Sequence, residues 1–181
     1  MKLRALKQKT SAAWLSAALV CIPAIPVTLA QLAPQPAWER TSDGDLATIT
    51  SDSGAAISFV PPRHWEAQQT ASTVTLRSGH RRIVVEIVDR GEGDPKVEAE
   101  RILRLDRIGG IASGFDGGSV SVPDSDLSGP TCVLVATEYT GHCAVLLDDT
   151  VIVRITSIGT AERPAAPIDS IIASISENSA S

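Results

Sequence analysis

From Asp45 onward, apolar and polar residues alternate with period two. DLATIT and AAISFV flank the turn cluster Ser51-Asp52-Ser53-Gly54 and predict a β-hairpin. Pro61 and Pro62 stop the second strand before Trp65. STVTLR, the turn Ser78-Gly79-His80 and RRIVVEIVD predict a second hairpin. In its longer strand Ile83, Val85 and Ile87 share one face while Val84 and Val88 lie on the other, which predicts a central strand covered on both sides.

The period then changes. Gly91 to Gly93 break the sheet, and Asp94-Pro95 supplies an N-cap acceptor followed by a proline suited to the first helical position. The spacing predicts a helix to about Ile108, with Val97, Ile102, Leu105 and Ile108 toward the core and Arg101, Arg104 and Arg107 in a separate basic stripe; Gly109-Gly110 ends it. Residues 112 to 130, rich in Gly, Ser and Asp, predict a mobile loop around one short strand. TCVLVATEY, HCAVLLD and TVIVRITS, separated by Thr140-Gly141 and Asp148-Asp149, predict an antiparallel meander. Pro164 or Pro167 opens a last helix whose Ile168, Ile171, Ile172 and Ile175 follow an i, i+3, i+4, i+7 stripe. The order β-β-β-β-α-β-β-β-α predicts an α+β sandwich over residues 45–176, a mostly antiparallel sheet with helices packed on it, followed by a tail at 177–181.

The N-terminus follows a different pattern. Lys2, Arg4, Lys7 and Lys9 form a basic leader at 1–10, and the uncharged segment SAAWLSAALVCIPAIPVTLAQLA covers 11–33. It is long enough to cross a bilayer as a transmembrane helix. Small residues near Ala30 also fit a cleavable signal peptide, although Thr28 and Ala30 match the cleavage pattern imperfectly, so an uncleaved anchor fits better. Lipidation at Cys21 lacks the small residue it needs in Ala18-Leu19-Val20. A buried core helix would need a polar face that this segment lacks. Either membrane reading leaves the leader in the cytoplasm and the rest outside. Residues 34–44, with two prolines, then read as a linker.

Charge narrows the function classes. The net charge is -5, but removing the four leader residues leaves 12 basic against 21 acidic side chains, a net of -9. So acidic a body repels a phosphate backbone, which argues against nucleic acid as a partner. Only six residues are aromatic, so rows of stacking rings are unavailable, while 43% apolar content supports a packed core built on Val, Ile, Leu and Ala.

Cys132 and Cys143 form an even pair in a segment read as exported, which predicts one disulfide. A tight turn at Thr140-Gly141 would instead place Cys143 opposite Glu138, so the bridge requires a bulge or a wider loop near 137–140. The alternative is two buried free thiols. His64, His80 and His142 show no zinc-ligand spacing, and no GxSxG or SxxK motif activates a serine. Asp124 to Gly129 copies the first half of a calcium loop, but the position needing a bidentate Glu falls on Val135. GGIASGFDGGSV fits no phosphate cradle. The sequence therefore predicts no catalytic residue, no metal site and no cofactor. The Arg101, Arg104, Arg107 stripe is either a solvated helix face or a contact for anionic lipid or an acidic partner.

GAAISFVPPRHW followed by TVTLRSGHRRIVVEIVD resembles the opening of the PsbP-like fold, in which a hairpin strand runs into a proline and a tryptophan, here Pro61, Pro62 and Trp65. Relatives of the LpqN and trehalose monomycolate transport factor A type occur, membrane-anchored or lipidated, in actinobacterial envelopes. The stretch from Cys132 through Cys143 to AVLLDDTVIV is similar to exported actinobacterial proteins with a cysteine pair ahead of an acidic turn, although Val145 stands where those often carry Trp. The resemblance covers roughly residues 45 to 176 and supplies no catalytic residue. It implies a non-catalytic module that binds or assists other envelope components; joined to the N-terminal segment, this gives a single-pass cell-membrane protein whose extracytoplasmic domain is an accessory or binding subunit of envelope biogenesis or transport, secreted if the signal is cleaved. Its partners would be lipid around the N-terminal helix and an envelope membrane protein. The alternatives are a subunit tied to a secretion apparatus and an envelope hydrolase built around His64 or His142.

Overall fold

The computed structural model describes residues 36–178; the anchor or signal peptide predicted at 11–33 and the end of the tail lie outside them. Among the described residues no helix is long and apolar enough to cross a membrane. The fold is α+β and dominated by antiparallel sheet. In chain order the strands are β1 (Glu39–Arg40), β2 (Ala47–Thr50), β3 (Ala56–Phe59), β4 (Glu66–Gln69), β5 (Thr73–Ser78) and β6 (Arg81–Asp89). Helix α1 (Pro95–Ile108) follows, then β7 (Ala112–Ser121), β8 (Ser128–Val135), β9 (Thr140–Leu147) and β10 (Val151–Gly159). The short helix α2 (Asp169–Ile172) and β11 (Ser176–Asn178) come last.

Eight strands form one sheet in the order β1-β4-β5-β6-β10-β9-β8-β7, and a second sheet runs β11-β3-β2. The larger core lies between them. Ile83, Val85 and Ile87 of β6, with Val74, Leu76, Leu146, Val153 and Ile155, meet Ile49, Ile57 and Phe59 of the small sheet. Ile168, Ile171, Ile172 and Ile175 all join this core, as their spacing predicts. Only Asp169–Ile172 is helical there, because the chain extends again to pair β11 with β3.

The opposite face of the large sheet carries α1. Asp94 caps it by accepting the Lys96 amide at 2.8 Å, with Pro95 in the first turn. Its buried stripe differs from the predicted one: Ala99 and Leu103 pack on Cys132, Leu134, Cys143, Val145 and Ile152, with Ile102 partly buried beside them. Val97, Leu105 and Ile108, predicted as core, face outward. Asp106 takes the inward position one turn beyond Ile102 and Leu103 and forms an ion pair with Arg154 of β10.

One helix about 10 Å across covers two or three strands spaced 4.8 Å apart. The rest of this face is therefore open. Direct cross-strand pairing places Arg40, Glu66, Arg77 and Arg82 in one row on it, and Val88 of β6 is exposed. The predicted cover on both faces of β6 is thus met only on the core side.

Part of the segment read as linker belongs to this sheet. Glu39 and Arg40 pair with Ala67 and Glu66, and Trp38 stacks on the Arg77 guanidinium at 3.8 Å. The buried Thr41 hydroxyl donates to the Pro62 carbonyl at 2.6 Å and accepts from the Trp65 amide at 3.0 Å.

Candidate functional site

The β6–α1 connection and the β9–β10 turn converge on Arg90. Its Nη1 donates to the Asp148 carbonyl at 2.5 Å and lies 3.5 Å from Asp149, its Nη2 donates to the Gly93 carbonyl at 3.3 Å, and its Nε lies 3.8 Å from Glu98. The Asp148 carboxylate in turn accepts from the amides of Thr150 and Val151 at 2.5 and 2.6 Å, which fixes the acidic turn. One arginine thus ties the end of β6 and the start of α1 to the β9–β10 turn.

Across from this wall, β7 departs from regular pairing. Its register on β8 shifts between Phe115 and Ser119, and Gly117 sits there at φ +86°, in the left-handed region that favours glycine. Residues 112–121 are therefore a bulged edge strand rather than the predicted mobile loop. Gly129 is needed for a different reason: a Cβ there would come within 1.9 Å of the Val145 carbonyl oxygen.

Between the wall and the bulge opens a cleft of about 1040 Å³. Phe115, Ala99, Leu147, Pro95 and Pro130 give it apolar surface, and Gly117, Gly118 and Gly129 leave backbone accessible. Arg90, Lys96, Asp126, Asp148, Asp149 and Glu177 set the polar rim. Drug-sized ligands occupy pockets of a few hundred to about 1,000 Å³ with this kind of mixed lining. The cleft lies beside the N-terminal half of α1, not between the helix and the strands beneath it, where Leu103 and the disulfide are tightly packed.

Asp116 at the bulge accepts from the Thr131 hydroxyl at 2.5 Å and the Gly118 amide at 2.8 Å. The Thr131 bond first, then the amide, holds its carboxyl below the ordinary value of 3.8. A depressed carboxylate stabilises the fold above the unfolded value, and that contribution is lost as pH falls through the folded value. The Gly118 amide resonance is therefore expected to titrate with a midpoint below 3.8, and Thr131→Val should move that midpoint upward; NMR titration reads both.

Cys132 and Cys143 are directly opposed on β8 and β9 and form a disulfide, with Cα atoms 4.9 Å apart. Neither a wider loop nor a bulge brings them together: the turn lies at 136–139 and not at Thr140-Gly141, since β8 ends at Val135, β9 begins at Thr140, and the Ala136 amide donates to the Tyr139 carbonyl at 2.8 Å. Arg101, Arg104 and Arg107 are all exposed on α1, and Arg104 lies 3.6 Å from Glu100. None of the three lines this cleft.

The other sequence candidates lie elsewhere. His64 occupies the β3–β4 connection at φ +59°, His80 the β5–β6 turn, and His142 pairs with Val133 and Ser157; none lines the cleft. Ser125 in the calcium-like segment hydrogen-bonds to Glu177 and to the Leu127 amide, which makes this segment the β7–β8 turn. Among the described residues no group of three or more His, Cys, Asp or Glu is placed to hold a metal ion. The cleft residues escaped sequence reasoning because Arg90, Phe115 and Asp148 belong to no motif; the bulge glycines were the one available signal.

Comparison of the chain with protein-family models returns no match, and comparison with curated proteins returns none either.

Proposed function

We propose that this chain is a membrane-anchored, extracytoplasmic accessory protein of the bacterial envelope, built on a PsbP-like domain that binds another envelope component and does no chemistry on it. The observation that carries the reading is the cleft beside α1, apolar at its floor and charged at its rim, in a body clamped by a disulfide. A disulfide of this kind belongs to oxidising compartments, and the uncharged stretch at 11–33 behind a basic leader supplies a route out of the cytoplasm.

A photocrosslinking amino acid placed at Phe115 in the full chain should capture an envelope lipid or membrane protein in intact cells. Ser128→Trp, which fills the cleft from an exposed strand position, should remove most of that product while leaving the melting temperature within about 2 °C, since surface substitutions rarely move stability by more than about 0.5 kcal/mol. Capture that is indifferent to Ser128→Trp would contradict a binding role for the cleft. Capture of secretion-apparatus subunits alone would select that alternative.

A further inference from the structure

We infer that the outward face of α1 docks on a bilayer surface carrying anionic lipid, an inference that deepens the proposed membrane anchoring and rests on it for proximity. Val97, Leu105 and Ile108 are 56%, 57% and 84% exposed, although each is a large apolar residue in a 14-residue helix. Scattered apolar side chains are ordinary on a protein surface. These three are not scattered. At 3.6 residues per turn Arg104, Val97, Ile108, Arg101 and Leu105 fall within an arc of about 100°, so arginines and aliphatic side chains alternate across one face.

Of the acids of α1, only Glu100 meets an arginine of this face. Asp106 turns inward to Arg154, and Glu98 lies against Arg90. Glu100 lies beside Arg104, whereas Arg101 and Arg107 make no ion pair among the described residues. The face stands out on a body whose net charge beyond the leader is -9. Cross-strand pairing puts Arg40 and Arg82 on the same side of the sheet, flanking the Glu66–Arg77 ion pair.

An acidic protein would engage the guanidinium groups and leave Ile108 in water. A bilayer engages both: aliphatic groups enter the acyl boundary while arginines extend along their stems to the phosphates. A basic amphipathic helix lying in the interface has this composition.

The test uses the full chain with Trp14→Phe and carrying Leu105→Trp or Ile108→Trp, mixed with vesicles of phosphatidylcholine alone or with phosphatidylglycerol added, and each signal is read as the difference from the Trp14→Phe chain, which retains Trp38 and Trp65. With phosphatidylglycerol the emission of either tryptophan should shift to the blue and be quenched by brominated phospholipid. Leu46→Trp, exposed on the small-sheet side, should respond to neither. Each of Arg101→Gln, Arg104→Gln and Arg107→Gln should lower the docked-to-undocked ratio about fivefold, and salt at about 1 M should abolish docking. Unchanged circular dichroism in each variant excludes misfolding. Equal quenching on the two lipid mixtures, or none at 105 and 108, overturns the inference; the second outcome leaves an acidic protein as the occupant of this face. Alkaline extraction separates the two claims: release of the chain removes the anchor without touching the quenching result, whereas retention without quenching removes the docking.

Discussion

Asp106→Ala should lower the free energy of unfolding by about 3–5 kcal/mol, the range seen when one partner of a buried ion pair is removed. The Asp106 side chain is 5% exposed and pairs with Arg154, which is 19% exposed and lies on β10 beneath α1. Removing the carboxylate strands a guanidinium between a helix and a sheet. With typical domain stabilities of about 5–15 kcal/mol, this single change approaches global unfolding and frees α1 first. The pair is also incompletely satisfied, since Asp106 Oδ2 and Arg154 Nε have no hydrogen-bond partner among the described residues. Asp106→Leu combined with Arg154→Met should therefore recover the loss or exceed it, as apolar replacement of buried pairs commonly does. Denaturant unfolding in mild detergent measures all three chains. A cost below about 1 kcal/mol for Asp106→Ala would show that the pair is solvated and does not fasten the helix.

Removing the disulfide should cost about 3 kcal/mol through the denatured state alone, given the 11-residue separation of Cys132 and Cys143. Both cysteines are buried under Ala99 and Leu103, so Cys132→Ala with Cys143→Ala also loses packing beneath α1. The corresponding serine pair should be worse, because two hydroxyl groups would be buried in a cluster made mostly of aliphatic side chains. Thermal melting of oxidised, reduced and double-alanine chains tests the order. Equal stability of the oxidised and reduced chains would contradict a clamping role for the bridge.

These two fastenings show where local pattern was informative. The start of α1 was legible, because Asp94-Pro95 carries its own capping chemistry. The face it buries was not. The helix contains two apolar arcs, and the larger side chains of Val97, Leu105 and Ile108 lie on the exposed one. The true inward arc uses a small Ala99 and a charged Asp106, acceptable only because Arg154 is 48 positions away in sequence. Periodicity has no access to such a partner.

Glycine caused the second difference. Thr140-Gly141 reads as a turn, yet Gly141 lies within β9, where a Cβ would come within 1.9 Å of the Ser157 carbonyl oxygen. It serves close strand approach rather than reversal, and moving the turn to 136–139 is what allows the cysteines to meet. The same ambiguity hid β7, whose glycines build a bulge in a paired edge strand. The hairpins β2–β3 and β5–β6 were legible because turn residues and period two agreed there. The cleft was not, since it forms only where the bulge, the α1 N-terminus and the β9–β10 turn come together.

The proposed exported body has a direct test in the oxidation state of its two buried sulfurs in living cells. Growing cells are precipitated in acid, the protein is unfolded in denaturant containing a first maleimide so that any buried free thiol can react, excess reagent is removed, the chain is reduced and treated with a second, mass-shifted maleimide, and the peptides containing Cys132 and Cys143 are then weighed. The account predicts that both residues carry only the second label. Both carrying the first would place the body in a reducing compartment and contradict it.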